Sequence, residues 1–98
     1  MLRGCAVKRV RKGVVRVEVL VDLERRALAG ARITGDFFAY PEDAVWRLEE
    51  GLRGAPLGEV RMRVLSLLRG VRLVGSTPED FAEALEEAVE RAVGACKS

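Results

Sequence analysis

An α+β fold is predicted for this chain: a three-stranded antiparallel meander followed by three helices packed on one face of the sheet. Three observations carry that expectation. The first third alternates apolar and polar residues with a period of two, most clearly over residues 14–22. From Pro41 onward the apolar spacing becomes helical. Strands come first and helices after, the order found when helices gather on one side of an antiparallel sheet. At 98 residues, the chain is read as a single domain over 1–98 with one core.

The central strand is justified first. Residues 14–22 place Val15, Val17, Val19 and Val21 on one face, with Arg16, Glu18 and Asp22 on the other. Alternation with β-branched residues is the mark of a half-buried antiparallel strand. Fully burying each of these valines contributes about 1.5–3 kcal/mol before entropy is counted. Upstream, residues 5–11 form a partner strand, and Lys12-Gly13 supplies a residue free to take positive φ in a tight hairpin. Downstream, residues 23–27 are charged and turn. Residues 28–37 then give a third strand with Ala31 and Ile33 inward and Arg32 and Thr34 outward. Gly30 and Gly35 weaken that strand or mark bulges. Short links between consecutive strands make a meander.

At Tyr40-Pro41 the period changes. Pro41 suits the first helical turn, where its missing N–H costs nothing. Glu42 and Asp43 follow, and acids there complement the helix dipole. Ala44, Val45, Leu48 and Leu52 share a face, and Gly54 ends the helix in the left-handed conformation. Trp46 lies off that stripe, at a core margin or against a partner. Ala55-Pro56 breaks the chain before a second helix over about residues 58–69, whose apolar face is Val60, Val64, Leu67 and Leu68 and which Gly70 closes. Residues 71–75 are a short extended link and a candidate fourth strand. The third helix opens at Thr77, with Pro78 in first position and Asp80 where the acid of a capping box belongs. Phe81, Leu85, Ala88, Val89 and Ala92 carry its buried face to about Val93, while Glu83, Glu86, Glu87 and Glu90 read as a solvated outer face.

Composition narrows the function. Apolar residues are 49% and charged residues 33% of the chain, too apolar and too evenly charged for disorder. Its uncharged apolar runs are too short to span a membrane. The N-terminal basic residues have no apolar block behind them, so they are no secretory signal and a cytoplasmic protein is expected. Cys5 and Cys96 lack metal-ligand spacing, and the chain has no histidine. The two thiols either pair end to end or, in better accord with a reducing compartment, are small buried or terminal thiols. Abundant Arg, Glu and Val with no Asn, Gln or His gives a thermophilic composition. The net charge of +2 hides an asymmetry: residues 1–35 carry nine Lys and Arg against three Asp and Glu. That excess either attracts something anionic or lines the solvent face of the strands and discourages aggregation.

No catalytic arrangement emerges. There is no Walker loop, no GxGxxG and no histidine-based nucleophile, and no carboxylate pair stands out from the helix surfaces. No catalytic and no metal-binding residues are therefore assigned. The most unusual segment is residues 33–41, where Gly35 and Asp36 precede Phe37, Phe38 and Tyr40 at a strand-to-helix junction. Its aromatics close one end of the core or offer a docking surface. If the strand continues through Phe37 and Phe38, they point to opposite faces and one is left for a partner.

Residues 33–54, ITGDFFAYPEDAVWRLEEGLRG, resemble the C-terminal domain of lipoate–protein ligases, which carries an apolar residue, Gly-Asp-Phe-Phe, then Pro-Glu and a Leu-rich helix. The valine-rich strand after Lys12-Gly13 and the Ser-Thr-Pro-Glu-Asp start at Ser76 are similar to the same family, so the resemblance spans roughly residues 8–93. It implies an archaeal-type small subunit of a two-chain ligase. A separate catalytic subunit would hold ATP and lipoate, make lipoyl-AMP and pass the lipoyl group to a lysine of an acceptor protein. The small chain would support adenylation, with Gly35, Asp36, Phe37 and Phe38 in the docking or closing surface. The resemblance also implies a fold similar to iron–sulfur scaffold and sulfur-acceptor proteins, whose ligating cysteines Cys5 and Cys96 do not supply. A small basic nucleic-acid-binding protein and a scaffold of that fold are the alternatives.

Overall fold

The strand β2 (Gly13–Asp22) is the centre of the molecule because its alternating valines give it one wholly apolar face: Val15, Val17, Val19 and Val21 are all buried. The computed structural model describes residues 1–11 and 13–94. β1 (Leu2–Val10) and β3 (Ala27–Gly35) flank β2 in a three-stranded antiparallel sheet of order β1-β2-β3. The predicted α+β meander is thus the observed one. Opposite Leu20 and Val21 the register shifts, leaving Ala29 beside Gly30 as the extra residue of a bulge.

The tight hairpin is present: Val10 pairs with Gly13, so Gly13 opens β2. Lys12, the other residue assigned to the turn, lies outside the described residues. Gly13 also serves by lacking a side chain: a Cβ there would stand 2.2 Å from Asp36 Oδ2.

After Gly35 the chain leaves the main sheet. Residues Phe38–Tyr40 form β4, which pairs antiparallel with β5 (Arg72–Val74) as a separate two-stranded ribbon. The third strand is therefore shorter than predicted, and the link at residues 71–75 is indeed a strand. α1 (Ala44–Leu52) starts three residues later than the sequence suggests. Pro41, Glu42 and Asp43 make a turn, closed by the Ala44 N–H donating to the Pro41 carbonyl at 2.9 Å, because β4 occupies the preceding residues. Gly54 has φ 81°, as foreseen for the residue after a helix.

A short 3₁₀ turn (Leu57–Glu59) leads into α2 (Val60–Leu67), and α3 (Pro78–Gly94) is the last described element. α3 lies across β1 and β2, α1 against β3, and α2 against α1 and α3, so the helices cover one face of the sheet. Phe81, Leu85, Ala88 and Ala92 are buried under α3, with Leu48, Leu52, Val60, Val64 and Leu68 completing the core. Leu67, placed in the core by its spacing, is 36% exposed. It packs instead over Gly51 of α1, where a Cβ would lie 2.6 Å from Leu67 Cδ1.

The acidic face of α3 is not merely solvated. Glu83 pairs with Lys8 of β1, Glu86 and Glu79 hold Arg61 of α2, and Glu87 pairs with Arg91. Of the two cysteines, Cys5 is exposed rather than buried; Cys96 lies outside the described residues, as does any pairing of the two. No helix among the described residues is long and apolar enough to cross a membrane.

Candidate functional site

The segment that stood out in the sequence, Gly35-Asp36-Phe37-Phe38, is the exit from β3. Gly35 takes φ 153°, and a Cβ on it would sit 2.4 Å from the Val14 carbonyl oxygen. Only glycine passes that close to β2. Asp36 then ties the turn to the start of β2 in two ways. Its backbone N–H donates to the Val14 carbonyl at 2.9 Å, and its Oδ2 accepts the Val14 N–H at 3.1 Å. The space that receives this carboxylate is the space Gly13 leaves empty. On the far side Gly75, with φ 91°, brings its backbone against the Asp36 carbonyl oxygen. Three glycines and one aspartate thus fix the turn.

The consecutive phenylalanines take opposite directions from that anchor. Phe37 is half-buried and meets the fully buried Phe81 edge to face, ring centroids 4.9 Å apart and planes at 68°. Phe38 is 69% exposed. The ribbon continues the alternation: Ala39 and its partner Leu73 are half-buried, while Phe38 pairs with Val74 and Tyr40 with Arg72 on the open face. Tyr40 and Val74 are 55% and 45% exposed. A hollow of about 440 Å³, open to solvent, is lined by Gly35, Asp36, Phe37, Phe38, Val74 and Gly75.

The structure therefore brings the four sequence-assigned residues together but divides their work. Gly35 and Asp36 build the turn, Phe37 roots it in the core, and Phe38 alone presents a large apolar surface. Tyr40, singled out in the sequence with the other aromatics but not among the four assigned residues, and Val74, not singled out at all, belong with Phe38. The signal for them was the period-two spacing of residues 38 and 40 and of residues 72 and 74. Its meaning depends on the pairing of two strands more than thirty residues apart in sequence.

Chemically the patch is a largely apolar surface. Its one carboxylate is engaged with backbone, and its exposed groups are Phe38, Tyr40 and Val74, with the guanidinium of Arg72 at one end. Among the described residues no group of three or more His, Cys, Asp or Glu is placed to hold a metal ion.

Comparison with known proteins gives a consistent result. No family model matches the sequence. The chain is 37% identical over 78 residues to lipoate–protein ligase A subunit 2 of Thermoplasma acidophilum, covering 79% of this chain and 81% of that protein. Its fold is also similar to a solved chain from an archaeal lipoylation system, described as a bipartite lipoate protein ligase and its E2 lipoyl domain from Thermoplasma acidophilum. That likeness has a TM-score of 0.78 at 33% identity, over 86% of this chain and 94% of the other.

Proposed function

This chain belongs to the family of lipoate–protein ligase A subunit 2, and on that premise we propose that it is the accessory subunit of a two-chain lipoate–protein ligase. It seats on a separate catalytic subunit and makes that subunit competent to activate lipoate with ATP. ATP and lipoate belong to the catalytic subunit. The acyl group then passes to a lysine of an acceptor protein.

The observation that carries this reading is the exposed Phe38, Tyr40 and Val74 ribbon on a turn locked by Asp36 and Gly13. An exposed aromatic cluster on a rigid support is what a lasting contact with another protein uses: burying it gains free energy, and little conformational freedom is lost on binding. Docking of this kind acts on catalysis by excluding water from the neighbouring site and fixing a mobile loop there. The small chain need not contribute a reacting group.

The test is lipoyl-AMP formation with the catalytic subunit alone, this chain alone, and both together. Adenylate is expected only from the mixture. Turnover by this chain alone, or equal turnover by the catalytic subunit without it, would overturn the assignment.

A further inference from the structure

We propose that the uncovered face of the β1–β3 sheet docks the negatively charged protein domain that receives the acyl group; this rests on the ligase reading above. The helices cover one face of the sheet only. The other face carries Arg3 and Arg9 from β1, Arg16 from β2 and Arg32 from β3, all exposed. The register sets them in cross-strand rows: Arg3 beside Leu20, Val7 beside Arg16 and Thr34, and Cys5 beside Glu18 and Arg32.

These arginines differ from those on the helices. Arg47, Arg61, Arg63 and Arg91 each pair with a carboxylate. Among the described residues, none of the four on the open sheet face does. Their field is therefore uncompensated except by Glu18, and it projects from one side of the molecule. Four of the nine basic residues in the first third of the sequence thus stand on one face of the sheet.

The surface between the cations selects the class of partner. Val7 and Leu20 are 54% and 37% exposed on the same face, and Glu18 lies in its middle row. A strand of nucleic acid needs a continuous cationic track and aromatic platforms. This face has a central carboxylate and no aromatic side chain. Arginines around small apolar patches suit an acidic protein surface instead.

The choice of occupant follows from the contrast between the two surfaces. The Phe38 ribbon is mostly apolar and suits a lasting subunit contact. The arginine face is charged and hydrated and suits encounters that form fast and break at each turnover. Among the protein partners of the proposed ligase, only the acceptor must arrive and leave in every cycle.

The experiment uses the reconstituted two-chain ligase with wild-type chain and with the Arg16→Glu/Arg32→Glu double variant. Lipoyl-AMP formation and lipoyl transfer to the purified acceptor domain are measured at low and at physiological salt, with Arg16→Lys/Arg32→Lys as the charge-conserving control. The expected result is unchanged adenylate formation and a KM for the acceptor raised about tenfold at low salt, with less salt dependence than wild type. The lysine control should stay within about threefold of wild type. An unchanged acceptor KM overturns the proposal alone. Loss of adenylate formation or of subunit assembly by a folded double variant overturns it by giving the face to the catalytic subunit. Tight binding of a single-stranded RNA oligonucleotide at physiological salt, lost in the double variant, overturns it in favour of nucleic acid. No adenylate from the wild-type mixture removes the ligase reading, and this proposal with it.

Discussion

Phe37 meets Phe81 at 4.9 Å inside the core while Phe38, one residue on, is 69% exposed, because an extended backbone turns successive side chains to opposite sides. Truncating them should therefore separate stability from assembly. Phe37→Ala is expected to lower unfolding stability by about 2 kcal/mol or more, since it removes half-buried ring area and the contact with Phe81. Phe38→Ala should change stability by less than about 0.5 kcal/mol, as exposed substitutions do. It should weaken binding to the catalytic subunit at least about tenfold, as loss of an interface anchor does. Urea denaturation and a binding titration on both variants check this; equal effects of the two on stability would contradict the assignment. Asp36 acts one step behind them. Its carboxylate holds the Val14 N–H over Gly13 and so orients the turn from which both rings project.

At the scale of elements, the start of α3 shows sequence and structure in close agreement. The Asp80 N–H donates to Thr77 Oγ1 at 3.2 Å, and the Thr77 N–H donates to Asp80 Oδ2 at 3.0 Å. This is a reciprocal capping box with aspartate in the acid position. Thr77→Ala is expected to cost about 1 kcal/mol, read as a lower thermal midpoint with an unchanged folded spectrum. The seat of α3 on the sheet has another cause. Gly4 of β1 lies so close that a Cβ would fall 2.0 Å from the Ala88 carbonyl oxygen and 2.8 Å from Ala92. Glycine on the strand and alanines on the helix bring the two backbones together, and the core there is filled by close approach rather than by large side chains.

Across the whole molecule, charge joins the layers. Lys8 of β1 pairs with Glu83 of α3, and Arg61 of α2 bridges Glu79 and Glu86 of α3. The hydrogen bond from Lys8 to Glu83 is the chief cause raising the lysine pKa above its ordinary 10.5, against a smaller opposing effect of burial. The folded pKa therefore exceeds the unfolded one. The pair contributes stability that is fully present below the unfolded value and is lost as pH rises through the folded one. Wild type should exceed Lys8→Met in stability at neutral pH, with the gap closing above the unfolded pKa. Denaturant midpoints followed into alkaline solution test this, and a gap independent of pH would rule it out. Both partners are partly exposed, so the gap should also shrink with added salt.

The sequence alone determined whatever depends on near neighbours in the chain. The valine alternation fixed β2 and its buried face. The Thr77-to-Asp80 spacing fixed the start of α3, and Gly54 and Gly70 marked the ends of α1 and α2, with φ of 81° and 80°. The order of elements fixed the fold class, and the Gly-Asp-Phe-Phe run pointed to the family. Tertiary structure decided what depends on distant partners. Nothing local to Gly13 shows that Asp36 must fit against it. Pro41 suits a first helical turn, and nothing local shows that Phe38–Tyr40 is taken up by a strand whose partner begins at Arg72. Helical spacing puts Leu67 in the core and does not reveal that Gly51 offers it a groove nearer the surface. Backbone propensity and periodicity act over a few residues, whereas burial, register and close approach are set by which surfaces meet once the chain has folded.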